Sequence, residues 1–334
     1  MIIDAHHHLW DPADRPYPWM DDSVAPIRRR FDVDDLRAAA RSTDVTRTIV
    51  VQAVHDPGET AWLLEQPEPV AGVVGWVDLT APDVVDRIAA LIAGSGGDRA
   101  ASSRLAGNRP ASSRLVGNRP ASSRLAGNRP AGSQLVGNWP ASTLLVGIRH
   151  QAHDEPDPDW LARPEVVRGV RAVAAAGLVF DVLVRAREHR AALALLDAVP
   201  EGSFVLDHAG KPDIAGGDPG WAARIDDFAA RPNVACKVSG LFTEAGPEWR
   251  RQPVDRYVRA VVERFGPDRS LFGSDWPVST LATTYDDVVR RTTDALADLT
   301  ADERQSVLSG TAERTYLHGR TLSTDDLVGN SEQT

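Results

Sequence analysis

A chain of 334 residues that is 42% hydrophobic is long enough for a sizeable core, built either as one large barrel or as two domains. Its net charge of -10 disfavours nucleic acid or an anionic membrane as the main partner and points to small molecules. It has no apolar run of membrane-spanning length and no basic-then-apolar leader, and its single cysteine, Cys236, excludes an intramolecular disulfide; a soluble cytoplasmic protein with an inert core thiol is expected.

The first stretch, Ile2-Ile3-Asp4-Ala5-His6-His7-His8-Leu9-Trp10, reads as a short buried strand that ends in histidines. Side chains alternate along a strand, so His6 and His8 point one way and His7 the other. Such a pair can bind one ion or hold one substrate oxygen from a rigid element. A polar, aperiodic loop over residues 11–31 follows, then a helix from Asp32 to Arg41 and a second strand, Thr48 to Val54. Gly58 to Glu65 is a brief helix, Val70 to Leu79 a third strand, and Pro82 to Ala93 a helix with its apolar residues in 3.6-residue phase.

A tandem decapeptide then interrupts the alternation: Ala101-Ser-Ser-Arg-Leu-Ala-Gly-Asn-Arg-Pro110 recurs from 111, 121 and 131. Each unit offers too little apolar surface to offset its ordering entropy, so residues 98–143 are expected to form a flexible insertion before strand 4 rather than a solenoid. The repeats carry six arginines and no acid, which leaves the other residues at -16. With the insertion set aside, the chain has a single-domain length of about 290 residues.

The rhythm resumes with strand 4, Leu144 to His150, tipped by Arg149 and His150, and a polar loop with His153, Asp154 and Glu155. Helix Pro164–Ala176, strand 5 (Leu178–Val184), helix Arg187–Val199 and strand 6 (Ser203–Pro212) come next. Helix Trp221–Ala230, strand 7 (Val234–Gly240), helix Val254–Phe265 and strand 8 (Leu271–Pro277) complete the alternation. A last helical region runs from Tyr285 to about Tyr316 with a break near Thr300, and a disordered tail is expected from residue 321.

Eight nearly continuous apolar strands alternating with helices are what a parallel sheet covered on both faces requires. The expected fold is a (β/α)8 TIM-type barrel, one domain over residues 1–320, with an open doubly wound sheet as the alternative. His6, His8, Arg149, His150, His208, Lys237 and Asp275 all fall late in their strands, and in a barrel those ends converge on one mouth.

The ordered set Asp4-Ala5-His6-His7-His8-Leu9-Trp10, Gly147-Ile148-Arg149-His150, Asp207-His208-Ala209-Gly210-Lys211-Pro212, Lys237-Val238-Ser239-Gly240 and Gly273-Ser274-Asp275-Trp276-Pro277 resembles the amidohydrolase superfamily, in its amidohydrolase-related lactonase branch. The resemblance implies hydrolysis at a carbonyl, with the His-x-His pair on strand 1 and an Asp at the end of strand 8. Binuclear members carry a Lys or Glu on strand 4 and a His on strand 5, whereas this chain has Arg149-His150 and Phe180-Asp181-Val182, so a two-metal centre is not expected. His6, His8, His208 and Asp275 are a donor set for one divalent ion, zinc by ligand chemistry. Some members of the branch work without metal, and both readings stand at this point.

Lactone hydrolysis needs a base for the water, a donor for the carbonyl oxygen and a proton for the leaving alkoxide. Asp275 is the candidate base, with His208 and Arg149 beside it as catalytic candidates. His150, Gln52 and Trp276 are candidates for substrate hydroxyls and a stacking wall. Lys211 and Lys237 either bind an anionic group on the substrate or pair with a carboxylate such as Asp207; if both face the mouth, a carboxylated lactone is favoured over a neutral one. The expected partner is a small lactone, most simply a sugar-acid lactone, and homo-oligomer formation is left open. A metal-dependent decarboxylase of the same superfamily and a catalytically silent barrel with an interaction insertion are the alternatives.

Overall fold

The computed structural model describes residues 1–94 and 144–317; the repeat insertion and the tail expected from the sequence lie outside these residues. Eight parallel strands form one sheet in sequential order: β1 (Ile2–His7), β2 (Val45–Val51), β3 (Val70–Gly75), β4 (Leu145–Gln151), β5 (Val179–Leu183), β6 (Ser203–Leu206), β7 (Val234–Val238) and β8 (Ser270–Phe272). The two ends meet just past β8. The Asp275 amide donates to the His6 carbonyl at 2.8 Å, the His8 amide donates to the Trp276 carbonyl at 2.7 Å, and His7 bridges Trp276 in parallel. The sheet is therefore a nearly closed (β/α)8 barrel, as its apolar strands predict.

Helices follow their local signals. Asp32 caps Val33–Ala40 with a capping box to Asp35, Asp56 caps Pro57–Leu64, and Thr300 caps Ala301–Gln305 with a box to Glu303, which is why the last helical region breaks there. Helices Pro164–Ala175, His189–Ala198, Trp221–Ala229 and Val254–Phe265 lie within a residue or two of their predicted bounds, and Tyr285–Ala295 starts where predicted but ends short of the expected break near Thr300. One short helix, Leu241–Ala245, has no sequence counterpart in the reading above, since five residues carry no measurable period.

Two apolar clusters result. The larger fills the layer between sheet and helices; the smaller lies inside the barrel, where Ile3, Ala5, Ile49, Val51, Val74, Val146 and Val205 meet Ala312, Tyr316 and Leu317 of the C-terminal segment. Each such aliphatic side chain contributes roughly 1.5–3 kcal/mol when fully buried. Cys236 is in the outer layer, fully buried, with burial pushing its thiol up, the surroundings of a core thiol.

Strands 2, 3, 6, 7 and 8 end earlier than predicted, and strand 5 does so by one residue. The physical reason is clearest at β6 and β8, where His208, Ala209, Lys211 and Asp275 have φ between 49° and 58° and turn the chain out of the ladder. The polar residues at these ends are thereby carried on tight turns beyond the sheet. Among the described residues no helix is long and apolar enough to cross a membrane.

Candidate active site

A register irregularity in β1 between Asp4 and His7 sets the first part of the site. Ala5 belongs to the barrel interior, and because of this bulge the next residue, His6, faces inward as well. His7 turns out to Thr48 Oγ1 at 2.9 Å, and His8 returns to the inner side, so His6 and His8 do share a face. Behind the bulge, Asp4 accepts from the Ser274 amide and hydroxyl (2.8 and 2.6 Å) and from Tyr285 Oη at 2.9 Å, which ties β1 to the turn that carries Asp275.

Four side chains converge at the mouth. Asp275 Oδ1 lies 3.6 Å from His8 Nε2, 3.8 Å from His208 Nε2 and 3.9 Å from His6 Nε2, and His6 Nε2 is 3.2 Å from His8 Nε2. His8 Nδ1 meets the Val51 carbonyl at 2.7 Å, a group that only accepts, so His8 carries its proton on Nδ1 and turns an Nε2 lone pair to the centre. His208 Nδ1 meets Ser239 Oγ at 2.9 Å, which permits the same tautomer. Burial holds His6 and His208 well below the usual imidazole range and lowers His8, so all three are neutral at neutral pH.

Beneath them is a fully buried set of charges. Arg149 Nη1 is 3.1 Å from Asp207 Oδ2 and 3.3 Å from His6 Nε2, and Nη2 donates to the Gln52 carbonyl. Lys237 Nζ donates to Asp181 Oδ2 and lies 3.0 Å from Asp207 Oδ1 and 3.2 Å from His6 Nδ1. Burial alone would raise the Asp207 carboxyl, but Lys237, His6 and Arg149 together hold it well below the usual range. Burial raises Asp181 to about 6, against the pull of Lys237.

A second polar tier lies at the ends of β2 and β4. His150 stacks between His55 and Trp160, with ring centroids 4.0 and 3.9 Å away. The Trp76 indole N–H donates to His150 Nδ1 at 3.1 Å, and His150 Nε2 meets Glu155 Oε1 at 2.8 Å. Gln52 donates Nε2 to the Arg149 carbonyl at 3.3 Å, and its Oε1 has no donor among the described residues.

Of the sequence-derived candidates, His6, His8, His208, Asp275 and Arg149 come together at one centre. Lys237 lies below it on two carboxylates, Lys211 sits 2.7 Å from Glu244, and Trp276 is buried with its ring edge-on to Phe31. Tyr316, His55 and Trp76 were not singled out by sequence, and Asp181 and Ser239 entered only within strand motifs, with no role assigned. Asp181 had a signal, a charge in the middle of an apolar strand, and it pairs in register with Arg149. Tyr316 had none, because it reaches the barrel from the far end of the chain.

The donor set suits a metal ion. His6, His208 and Asp275 each bring one ligand atom within 4.8 Å of the others, and His8 Nε2 completes a group with contacts of 3.2 to 3.9 Å. Ligands of a tetrahedral ion at about 2.0–2.1 Å are about 3.3–3.4 Å apart. Imidazole lone pairs at this separation repel one another unless a cation or proton lies between them. His55, His150 and Glu155 also lie within 4.8 Å of one another, but the Trp76 indole occupies the His150 lone pair.

Neutral imidazoles and a carboxylate converging at the C-terminal mouth of a (β/α)8 barrel define a barrel enzyme of the amidohydrolase type. The amidohydrolase profile matches residues 3–317, and the chain belongs to that family. An L-fucono-1,5-lactonase of Burkholderia ambifaria is 35% identical over 289 residues, covering 85% of this chain and 83% of the relative. A second L-fucono-1,5-lactonase, from Burkholderia multivorans, is 32% identical over 334 residues, 94% of this chain and 95% of the relative. The crystal structure of an amidohydrolase from Burkholderia multivorans with bound zinc superimposes with a TM-score of 0.74 at 32% identity, covering 95% of this chain and 99% of that one.

Proposed function

We propose that this chain opens a small sugar-acid lactone by attack of water on the ring carbonyl, with Asp275 as the proton acceptor. The convergence of His6, His8 and His208 Nε2 on Asp275 Oδ1 within 3.9 Å carries this reading. The lactonase relatives support it by similarity over most of the chain.

Zinc held by His6, His8, His208 and Asp275 would polarise the carbonyl and lower the pKa of the attacking water. Asp275 takes the proton of the water as the new C–O bond forms and returns it to the ring oxygen as the ester C–O bond breaks. The product is a hydroxy acid, which releases a proton at neutral pH. Arg149, fixed by Asp207 and the Gln52 carbonyl, places a permanent positive donor beside the carbonyl oxygen. Gln52 Oε1 is left to accept from a substrate hydroxyl, while His150 and Trp276, engaged with Trp76 and Phe31, serve as walls. Both candidate lysines are taken up by carboxylates, which favours a neutral sugar lactone over one that carries a carboxylate.

The test is acid release from a panel of aldonolactones by native protein and by Asp275→Asn, with metal content measured before and after chelation. Turnover by the native protein that is lost in Asp275→Asn, lost on chelation and restored by zinc is the expected result. Activity that survives complete metal removal would transfer carbonyl polarisation to Arg149 and the histidines. No turnover of any lactone by folded, zinc-replete protein would overturn the reading, and release of carbon dioxide from an acidic substrate would replace it with decarboxylation.

A further inference from the structure

His6 Nδ1 has two neighbours with opposite demands. Asp207 Oδ1, 3.3 Å away, can only accept a proton, and Lys237 Nζ, 3.2 Å away, can only donate one. If Nδ1 donates to Asp207, Nε2 presents its lone pair to the mouth. If Lys237 donates to Nδ1, the neutral ring carries its proton on Nε2 and has none to offer there. Neither Lys237 nor His6 meets Asp207 Oδ1 as an aligned hydrogen bond, whereas Lys237 Nζ is in hydrogen-bond geometry with His6 Nδ1. Across the ring Arg149 Nη1, which also only donates, lies 3.3 Å from Nε2 and favours the lone pair there, so the placement of Lys237 weighs against or with Arg149 in setting the state.

The position of Lys237 is in turn set from below. Its shortest contact is with Asp181 Oδ2, and the other Asp181 oxygen accepts from Tyr316 Oη at 2.6 Å. Tyr316 also holds its ring 5.3 Å from the ammonium. All these side chains are nearly or fully buried, and burial keeps the phenol protonated, so Tyr316 stays a donor. Tyr316 belongs to the C-terminal segment that closes the barrel interior beside Ala312 and Leu317. An unbroken polar path therefore runs from that segment to the mouth.

We propose that Tyr316 is a positioning residue: by fixing Asp181 it draws the Lys237 ammonium onto the carboxylates and so keeps the His6 proton on Nδ1, toward Asp207. This rests on the reading of His6 as a ligand in the proposed site. It assigns a function in the site to a residue outside the barrel strands, and it makes Lys237 an orienting group rather than a substrate contact. Loss of such outer partners typically weakens metal affinity or activity by about 10–100-fold.

The experiment compares native protein with Tyr316→Phe, which keeps the packing and the ring-to-ammonium contact and removes only the hydroxyl. Imidazole proton–nitrogen correlation spectra of the nitrogen-15-labelled, metal-free proteins read the His6 tautomer, and competition with a chromophoric chelator reads zinc affinity. The expected result is a shift of His6 from the Nδ1–H toward the Nε2–H pattern, zinc affinity lower by about 10-fold or more, and a lower kcat on the lactone with KM little changed. Asp181→Asn should reproduce the spectral change and carries the test if Tyr316→Phe does not fold. A native His6 pattern and native zinc affinity in folded Tyr316→Phe would overturn the assignment. Native protein that opens no lactone would remove the proposed function alone, and the imidazole pattern would still decide the role of Tyr316.

Discussion

The indole N–H of Trp76 donates to Nδ1 of His150 across 3.1 Å, and this one bond decides which nitrogen of the imidazole carries the proton. His150 must then hold its proton on Nε2 and give it to Glu155, 2.8 Å away, which leaves no lone pair for an ion. Although His55, His150 and Glu155 have the spacing of a metal site, they are expected not to act as one. Metal analysis after gel filtration should find about one zinc per chain in native protein and in His55→Ala, and close to none in His208→Ala. A second zinc that disappears with His55 would show that the Trp76 bond does not hold.

Gly240 supports His208 by having no side chain. Its φ is 66°, and a Cβ there would stand 2.6 Å from His208 Nδ1. Gly240→Ala should therefore lose about 1 kcal/mol from backbone strain alone and displace the imidazole from Asp275, with a fall in kcat/KM of about 10-fold or more. Gly177 has the same φ of 66° with nothing within 4 Å of the added atom, so Gly177→Ala carries the strain without the clash. Calorimetry should show both variants destabilised, Gly240→Ala at least as much as the control, and lactone kinetics should separate them. Equal activities would mean that His208 tolerates the displacement.

Glu59 gives the protein a pH-dependent stability term away from the site. Its carboxylate accepts from the Ala53 and Val54 amides at 2.9 and 3.2 Å, holding the segment after β2, but burial raises it from 4.5 to about 7. The folded state therefore binds this proton more tightly than the unfolded chain does, and the contribution of Glu59 to stability falls as pH rises from about 4.5 to about 7. The full effect is on the order of 3 kcal/mol. Glu59→Gln keeps an acceptor for both amides and removes the titration. Melting temperatures measured between pH 4 and pH 8 should show the variant gaining on native protein across that window and running parallel to it above. A constant difference throughout would refute the assignment.

Much of the architecture was legible in the sequence because it depends on local periodicity. Continuous apolar runs such as Val70–Gly75 alternate with helices such as Val254–Phe265, and the bounds of this helix agree with the prediction residue for residue. That pattern, with polar residues at strand ends, also places His6, Arg149, His208 and Asp275 at one mouth. The strand ends themselves were read too long at β6 and β8, where the polar tips 207–212 and 273–277 were counted into the strands although positive φ at His208 and Asp275 turns the chain out of the ladder.

The sequence alone therefore determined the barrel, the family resemblance and the candidate residues at the strand ends, because strand alternation and residue type are local properties. Only the tertiary structure decided which donors are available and in which protonation state. The indole of Trp76 withdraws His150, Val51 fixes His8, and the competition between Asp207 and Lys237 bears on His6. Each of these partners is brought in from another strand or loop. Tyr316 reaches Asp181 from 135 residues away, a separation that no period in the chain can encode and that only closure of the barrel brings to 2.6 Å.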